Sequence, residues 1–190
     1  MITTWDRFLV ERLNVAHSFS STQVNLPEEI AKKVISWGKK HIPDKDLYEK
    51  DDKYGREDEI HVTVLYGIHD ANPLSTIRVL WEERSFKLEL GKVSLFNTSP
   101  DYDVVKVEVI SPKLHMLHKL LKKKLDHTDK WNDYHPHVTV AYVEKNTCNK
   151  LVSSDDLRGT KFLANEIIFS STNGEKTEIY LGMQPSWSRA

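Results

Sequence analysis

Apolar residues recur along this chain in two rhythms. Tyr102 to Ile110 (YDVVKVEVI) sets Val105, Val107 and Val109 at period two, the pattern of a strand with one buried face. Ser111 is a cap candidate before Pro112, and Leu114, Leu117, Leu121 and Leu125 then fall on one face of a helix predicted over about 112–125. A second helical stripe, Ile30, Val34, Trp37 and His41, lies between Pro27 and Pro43 and follows the stretch Ala16 to Leu26. Further strands are predicted at Phe86–Phe96, Phe162–Ser171 and Lys176–Gly182, the last two joined through Asn173-Gly174, a strong hairpin signal. Asn72 to Arg84, carrying Ile77, Leu80 and Trp81, and the segment opened by Ser153-Ser154-Asp155-Asp156-Leu157 read as shorter helices.

Two tetrapeptides are identical: His61-Val62-Thr63-Val64 and His137-Val138-Thr139-Val140, each followed one residue later by a tyrosine, Tyr66 and Tyr142. Both halves of the chain read strand, helix, linker, motif strand, helix, strand, strand, with one strand shared. The expectation is an α+β fold of two lobes related by a pseudo-twofold axis. Each lobe is an antiparallel sheet with helices on its outer face, and a cleft lies between them. As one domain over 1–190, the lobes fall at about 45–110 and about 111–182, with a strand and helix exchanged from 16–42. The charged linker from Asp44 to Glu59 is open to two readings, a solvated connection or a lid.

Alternate side chains of a strand share a face, so His61 points with Thr63, and His137 with Thr139. If the motif strands meet across the twofold, two imidazoles and two hydroxyls enter one cleft, with valines behind them. Cleaving a phosphodiester needs one group to take a proton and another to give one, and an imidazole titrates near enough to neutrality for either task. The hydroxyls can donate to non-bridging phosphate oxygens. Nine His and twelve Thr in 190 residues give roughly half a His-x-Thr pair by chance, so a single copy carries no weight but a duplicated one in strand context does.

Composition narrows the substrate. Lys and Arg number 27 against 28 Asp and Glu, a net charge of −1, so no general attraction draws the chain to long nucleic acid or to an anionic membrane. The single cysteine, Cys148, closes no intramolecular disulfide and has no partner arrangement for a nucleophile. The start MITTWDRFLVERL lacks the apolar core of a signal peptide, and no apolar run is long enough to span a bilayer, so the expected setting is a reducing cytoplasm.

Two His-x-Thr motifs on equivalent strands of a bilobal α+β fold resemble the 2H phosphoesterase superfamily, which includes the RNA ligase-like cyclic phosphodiesterases. The resemblance extends from about residue 16 to 182. It implies His61 and His137 as general base and acid, in either order, and Thr63 and Thr139 as phosphate-binding hydroxyls, with no cofactor. Within that superfamily EIHVTVLYG (59–67), YDVVKVEVIS (102–111) and YHPHVTVAYV (134–143) are most similar to the phage anti-CBASS phosphodiesterases. This implies a cyclic di- or trinucleotide substrate, attacked by a ribose 2′-hydroxyl on its 3′–5′ phosphate, with the cyclic phosphate hydrolysed afterwards. An extension around Trp5 departs from the shortest members.

Other residues carry weaker expectations. Tyr54, Tyr134 and Trp187 are candidates to stack on a nucleobase, and Glu178 and Tyr180, alternate on one strand, to meet a base edge or sugar hydroxyl. Tyr66 and Tyr142 share parity with the valines and are expected in the core. Lys106 and Glu108 lie opposite three valines, facing either cleft or solvent. Lys122, Lys123 and Lys124 read as the solvated side of a helix, and His115, His118 and His127 show no recognisable spacing. With His61, His135 and His137 offer three imidazoles to a metal such as zinc, but Pro136 and the absence of a well-spaced carboxylate favour a metal-independent centre.

Overall fold

The strands at Phe86–Phe96 (β3) and Tyr102–Ile110 (β4) form with the predicted bounds. The others are β1 (Ser20–Asn25), β2 (His61–Ile68), β5 (His137–Glu144), β6 (Lys161–Ala164), β7 (Glu166–Ser170) and β8 (Lys176–Tyr180). The computed structural model describes residues 18–51, 54–129 and 133–182. These eight strands make one sheet in the order β6-β3-β4-β5-β2-β1-β7-β8, with antiparallel neighbours throughout. Asn165 alone connects β6, at one edge, to β7, next to the other edge. One residue spans only a few ångströms of chain, so the sheet must curl back on itself into a half-barrel.

The helices are α1 (Glu28–His41), α2 (Leu74–Leu80) and α3 (Pro112–Lys124). Leu114, Leu117 and Leu121 of α3 are buried with Val62, Val64, Val138 and Val140, so the valines of both motifs sit under the helix layer. Each fully buried aliphatic side chain stabilises by about 1.5–3 kcal/mol. Helix α1 packs on β5 and α3 on β2. Gly38 makes the first approach possible, because a Cβ there would stand 2.7 Å from Val140 Cγ1.

The pseudo-twofold falls between β5 and β2, but the lobes are not contiguous stretches of sequence. Strands β3 and β4 follow the first motif yet pair beside the second, while β7 and β8 follow the second motif and lie beside β1 in the first half. Lobes at 45–110 and 111–182 are therefore replaced by two interleaved halves, β6-β3-β4-β5 and β2-β1-β7-β8. Period two fixes which face of a strand is buried, not which strand lies next to it.

Other local expectations are corrected. The run 162–171 is two strands broken at Asn165, one pairing with β3 and the other with β1. No helix forms at 153–157: Ser153 takes a left-handed φ of 69°, its N–H bonds Val93 O at 2.9 Å, and Val93 N–H bonds Ser154 O at 3.0 Å, so this backbone is committed to β3. The helix expected over 72–84 shortens to α2, leaving Trp81 exposed. Ser111 precedes α3 without capping it, its hydroxyl donating instead to Lys87 O at 3.0 Å. Among the described residues no helix is long and apolar enough to cross a membrane.

Candidate active site

Strands β2 and β5 pair at one position, Val62 opposite Val138. One step to either side, this antiparallel register sets His61 against Thr139 and Thr63 against His137. All four are half-buried, while the valines between them are sealed beneath. The duplicated motifs thus form a single four-residue patch on the concave face, related by the pseudo-twofold.

Each imidazole is held by the same local contact. His61 Nδ1 lies 2.7 Å from Glu59 O, and His137 Nδ1 lies 2.6 Å from His135 O. A carbonyl oxygen only accepts, so Nδ1 carries the hydrogen in both rings and the Nε2 lone pair is left for the cleft. Burial pushes the His137 imidazole below its ordinary range; its bond to His135 O opposes this, and positive charge on Lys106, His61 and His135 lowers it further. His61 has other neighbours. The Glu57 carboxyl is raised by burial, an effect that the charge of His61 partly offsets. Burial also acts to raise Glu59, but its bond and attraction to Lys176, with help from His61 and Gln23, hold that carboxyl below the usual range.

Both motif strands carry a bulge at the residue after the threonine. Gln23 pairs with Thr63 and Thr22 with Leu65, skipping Val64; Lys106 pairs with Thr139 and Val105 with Ala141, skipping Val140. A bulge inserts one residue and reverses the alternation beyond it. Leu65 and Ala141 therefore turn into the core, and Tyr66 and Tyr142 turn out onto the His-Thr face, correcting the expectation that they are core residues. Tyr66 is 53% exposed and meets the edge of Phe19, which also packs against His69. Tyr142 meets Tyr54 and Tyr102 at ring separations of 5.3 and 5.6 Å, and Tyr48 completes that cluster. Two aromatic platforms thus flank the patch.

The described part of the linker before β2 is exposed along much of its length but tied to a motif strand by its main chain. Glu57 N–H bonds Val140 O at 3.0 Å, Tyr142 N–H bonds Gly55 O at 2.8 Å, and Tyr48 N–H bonds Tyr142 O at 3.0 Å, so this segment lines β5 where β2 diverges from it. Tyr54 is thereby brought to the platform. Tyr134 takes a different place: its hydroxyl donates to Thr63 O at 2.7 Å and its ring stacks on buried His118 at 4.1 Å, so it braces a motif strand. Burial drives its phenol far above the usual range. His118, passed over for want of spacing, donates from Nδ1 to Val64 O at 2.7 Å. Its position on the Leu114, Leu117 and Leu121 face of α3 is the signal that marks it.

Lys106 and Gln23 occupy equivalent positions beside Thr139 and Thr63, each 6% exposed. Gln23 Nε2 donates to Asn25 Oδ1 at 2.8 Å and Glu59 Oε1 at 2.9 Å. Lys106 Nζ donates to Ser94 Oγ at 2.8 Å and lies 4.3 Å from the centre of the Phe96 ring, whose edge-on contact with His137 is 4.8 Å. Glu108 pairs opposite His137. Glu178 and Tyr180 share the face of the patch but stand on edge strand β8, three strands from β2 along the sheet, with the Tyr180 hydroxyl bonded to the Glu178 carboxylate. Lys122 is not simply solvated, lying 3.3 Å from Asp129. Cys148 is buried, and burial raises its thiol. Trp187 and Trp5 lie outside the described residues. Among the described residues no group of three or more His, Cys, Asp or Glu is gathered to hold a metal ion, so His61, His135 and His137 do not form the three-imidazole set considered above.

Several solved structures share this architecture. TT0787 of Thermus thermophilus superposes with a TM-score of 0.63 at 14% identity, covering 87% of this chain and all of that one. E. coli LigT in its apo form gives 0.59 at 19% identity, over 86% and 94% of the two chains. A structure described as a phosphoesterase gives 0.57 at 16% identity, over 86% and 95%. A search of curated proteins finds no match. The family model of the 2′-5′ RNA ligase superfamily matches residues 27–158, taking in both His-x-Thr motifs and the strand–helix units that present them. By that match the chain belongs to the 2′-5′ RNA ligase superfamily, the 2H phosphoesterases.

Proposed function

We propose that this protein is a metal-independent phosphodiesterase that cleaves the 3′–5′ bonds of small cyclic oligonucleotides, with His137 as general base and His61 as general acid. The observation that carries the reading is the matched pair of Nδ1–carbonyl bonds, which leaves two Nε2 atoms for one cleft. Burial and the nearby Lys106 charge favour a neutral His137, ready to accept a proton. His61 has the Glu57 and Glu59 carboxylates within Coulombic reach.

In the proposed reaction His137 Nε2 takes the proton of a ribose 2′-hydroxyl as that oxygen attacks phosphorus. The bond from phosphorus to the 5′-oxygen breaks, and the leaving oxygen takes a proton from His61 Nε2. Hydroxyls of Thr63 and Thr139 donate to the non-bridging oxygens as charge grows on them. A 2′,3′-cyclic phosphate results, and water opens it with the two imidazoles in exchanged roles. Bases on either side of the scissile phosphate stack on the Tyr142 and Tyr66 platforms, and a near-zero net charge suits a small ligand better than long RNA. The resemblance to anti-CBASS enzymes makes cyclic di- and trinucleotide immune signals, such as cyclic GMP-AMP, the substrates to try first. Their removal would counteract bacterial anti-phage defence from the host cytoplasm.

A second reading places RNA 2′,3′-cyclic phosphate ends at the same centre; LigT, which shares the fold, has been solved with 3′-AMP. Incubation with EDTA and a panel of cyclic dinucleotides, cyclic trinucleotides and cyclic-phosphate RNA ends, with products identified by mass, decides between them. Cleavage of 3′–5′ rings is expected. Cleavage of RNA ends alone supports the second reading, loss of activity in EDTA removes the metal-independent mechanism, and recovery of every ligand intact points to a sequestering module instead.

A further inference from the structure

Lys106 is a cation in the wall of the cleft whose charge bears on His137 but which takes no part in the two proton transfers. It is 6% exposed, and among the described residues no carboxylate lies within ion-pair distance of its ammonium. Its protein partners are one hydroxyl, Ser94 Oγ at 2.8 Å, and the face of Phe96. A buried ammonium with one neutral acceptor has donors to spare, and burial lowers its pKa despite the Glu108 carboxylate acting from beyond ion-pair distance, so an anion in the cleft would offset that cost. Cross-strand pairing sets Lys106 beside Thr139, on the face that presents the His-Thr patch.

The scissile phosphate already has two imidazoles and two hydroxyls. Separations of 4.3 and 4.8 Å across Phe96 bound the ammonium to within about 9 Å of the His137 imidazole, with the Phe96 ring touching both. A reach of that size admits a phosphate one nucleotide of backbone away from the one at the imidazoles. We propose that Lys106 and Ser94 form a subsite for a second phosphate of the substrate, one nucleotide away from the phosphate that is cleaved. The pseudo-twofold mate of Lys106 is Gln23, an amide tied to Glu59, so the second phosphate is held on one side only. This deepens the phosphodiesterase reading and rests on it: the subsite selects cyclic dinucleotides and larger rings over nucleoside 2′,3′-cyclic phosphates.

Calorimetry tests the subsite without turnover, using a nucleoside 3′,5′-bisphosphate and the matching 3′-monophosphate as probes. Wild-type protein is expected to bind the bisphosphate about tenfold more tightly, the scale of a charge-assisted bond. Lys106→Gln should lose that advantage, leave the monophosphate nearly unchanged, and raise KM for a cyclic dinucleotide more than it alters kcat, both read on the pH plateau above the acidic limb. Lys106→Met, which keeps the apolar stem over Phe96, serves as the second variant should the first fold poorly, and Lys106→Arg should restore part of the advantage. A wild-type protein that gains nothing from the second phosphate overturns the proposal, as does a variant that weakens both probes equally. If the Lys106-dependent gain appears but no phosphodiester is cleaved, the subsite stands and the catalytic reading falls.

Discussion

The two halves of the cleft carry the same tetrapeptide and the same bulge, yet they are supported by different means. Around the first motif, side chains take the polar groups of the bulged backbone: Tyr134 bonds Thr63 O, His118 bonds Val64 O, and the Thr22 hydroxyl accepts from Leu65 N–H at 3.1 Å. Around the second, main chain from the preceding linker serves, with Glu57 N–H on Val140 O and Gly55 O receiving Tyr142 N–H. Duplication preserved where the imidazoles and hydroxyls stand, while the scaffold behind each pair was free to diverge as long as no buried group lost its partner. The electrostatics diverged too. Gln23, Glu57 and Glu59 surround His61, whereas Lys106 and Phe96 flank His137.

Removing the duplicated chemistry should have the largest effect and fall on both halves. His61→Ala and His137→Ala are each expected to lower turnover of a cyclic dinucleotide by about 10²–10⁴-fold while leaving circular dichroism unchanged. Full activity in either variant breaks the acid–base pairing. Thr63→Val and Thr139→Val should each reduce kcat by up to about 10²-fold, somewhat less than removal of a full oxyanion donor, with smaller effects on KM.

The scaffold, by contrast, should respond on one side only. Tyr134→Phe leaves Thr63 O without its partner, and His118→Leu does the same to Val64 O. Each is expected to lower unfolding free energy by about 1–3 kcal/mol in urea titrations. Glu57→Gln keeps the main-chain N–H that serves the second half, so it should shift stability less than either of these.

The smallest effect concerns pH. A neutral His137 is needed to accept the proton, so kcat/KM should fall as pH drops through its folded value, which burial and the Lys106 charge place below the ordinary imidazole value of about 6.5. His61 from β2, Lys106 and Glu108 from β4, and His135 from its own segment are the charged and titratable groups bearing on it. Lys106→Gln removes a positive charge and should move the acidic limb upward by a fraction of a pH unit. An acidic limb that stays in place while the alkaline limb moves upward contradicts the assignment of base and acid.

Much of the fold was legible because period two and period 3.6 are local properties: β3 and β4 have the predicted bounds, and α1 and α3 lie where their stripes predict. His61, Thr63, His137 and Thr139 were legible for the same reason, since parity holds over three residues of strand. Tyr66 and Tyr142 were misread because parity fails one residue later, at bulges that only the pairing partner reveals. The interleaving of the two halves was likewise out of reach, as was the break at Asn165, because strand neighbours are chosen by long-range packing. Tyr134 reads as an aromatic near a motif, but its use as a brace depends on His118, sixteen residues earlier on a different element.

The account depends on two imidazoles sharing one phosphorus, and nitrogen-15 NMR of the histidine side chains during a phosphate titration tests it most directly. Before phosphate, both His61 and His137 should show a protonated Nδ1 and a lone pair on Nε2 in their neutral forms. One equivalent of bound phosphate should then shift the Nε2 signals of both rings with a single binding curve. Two independent curves, or a response from one ring alone, would contradict the shared centre.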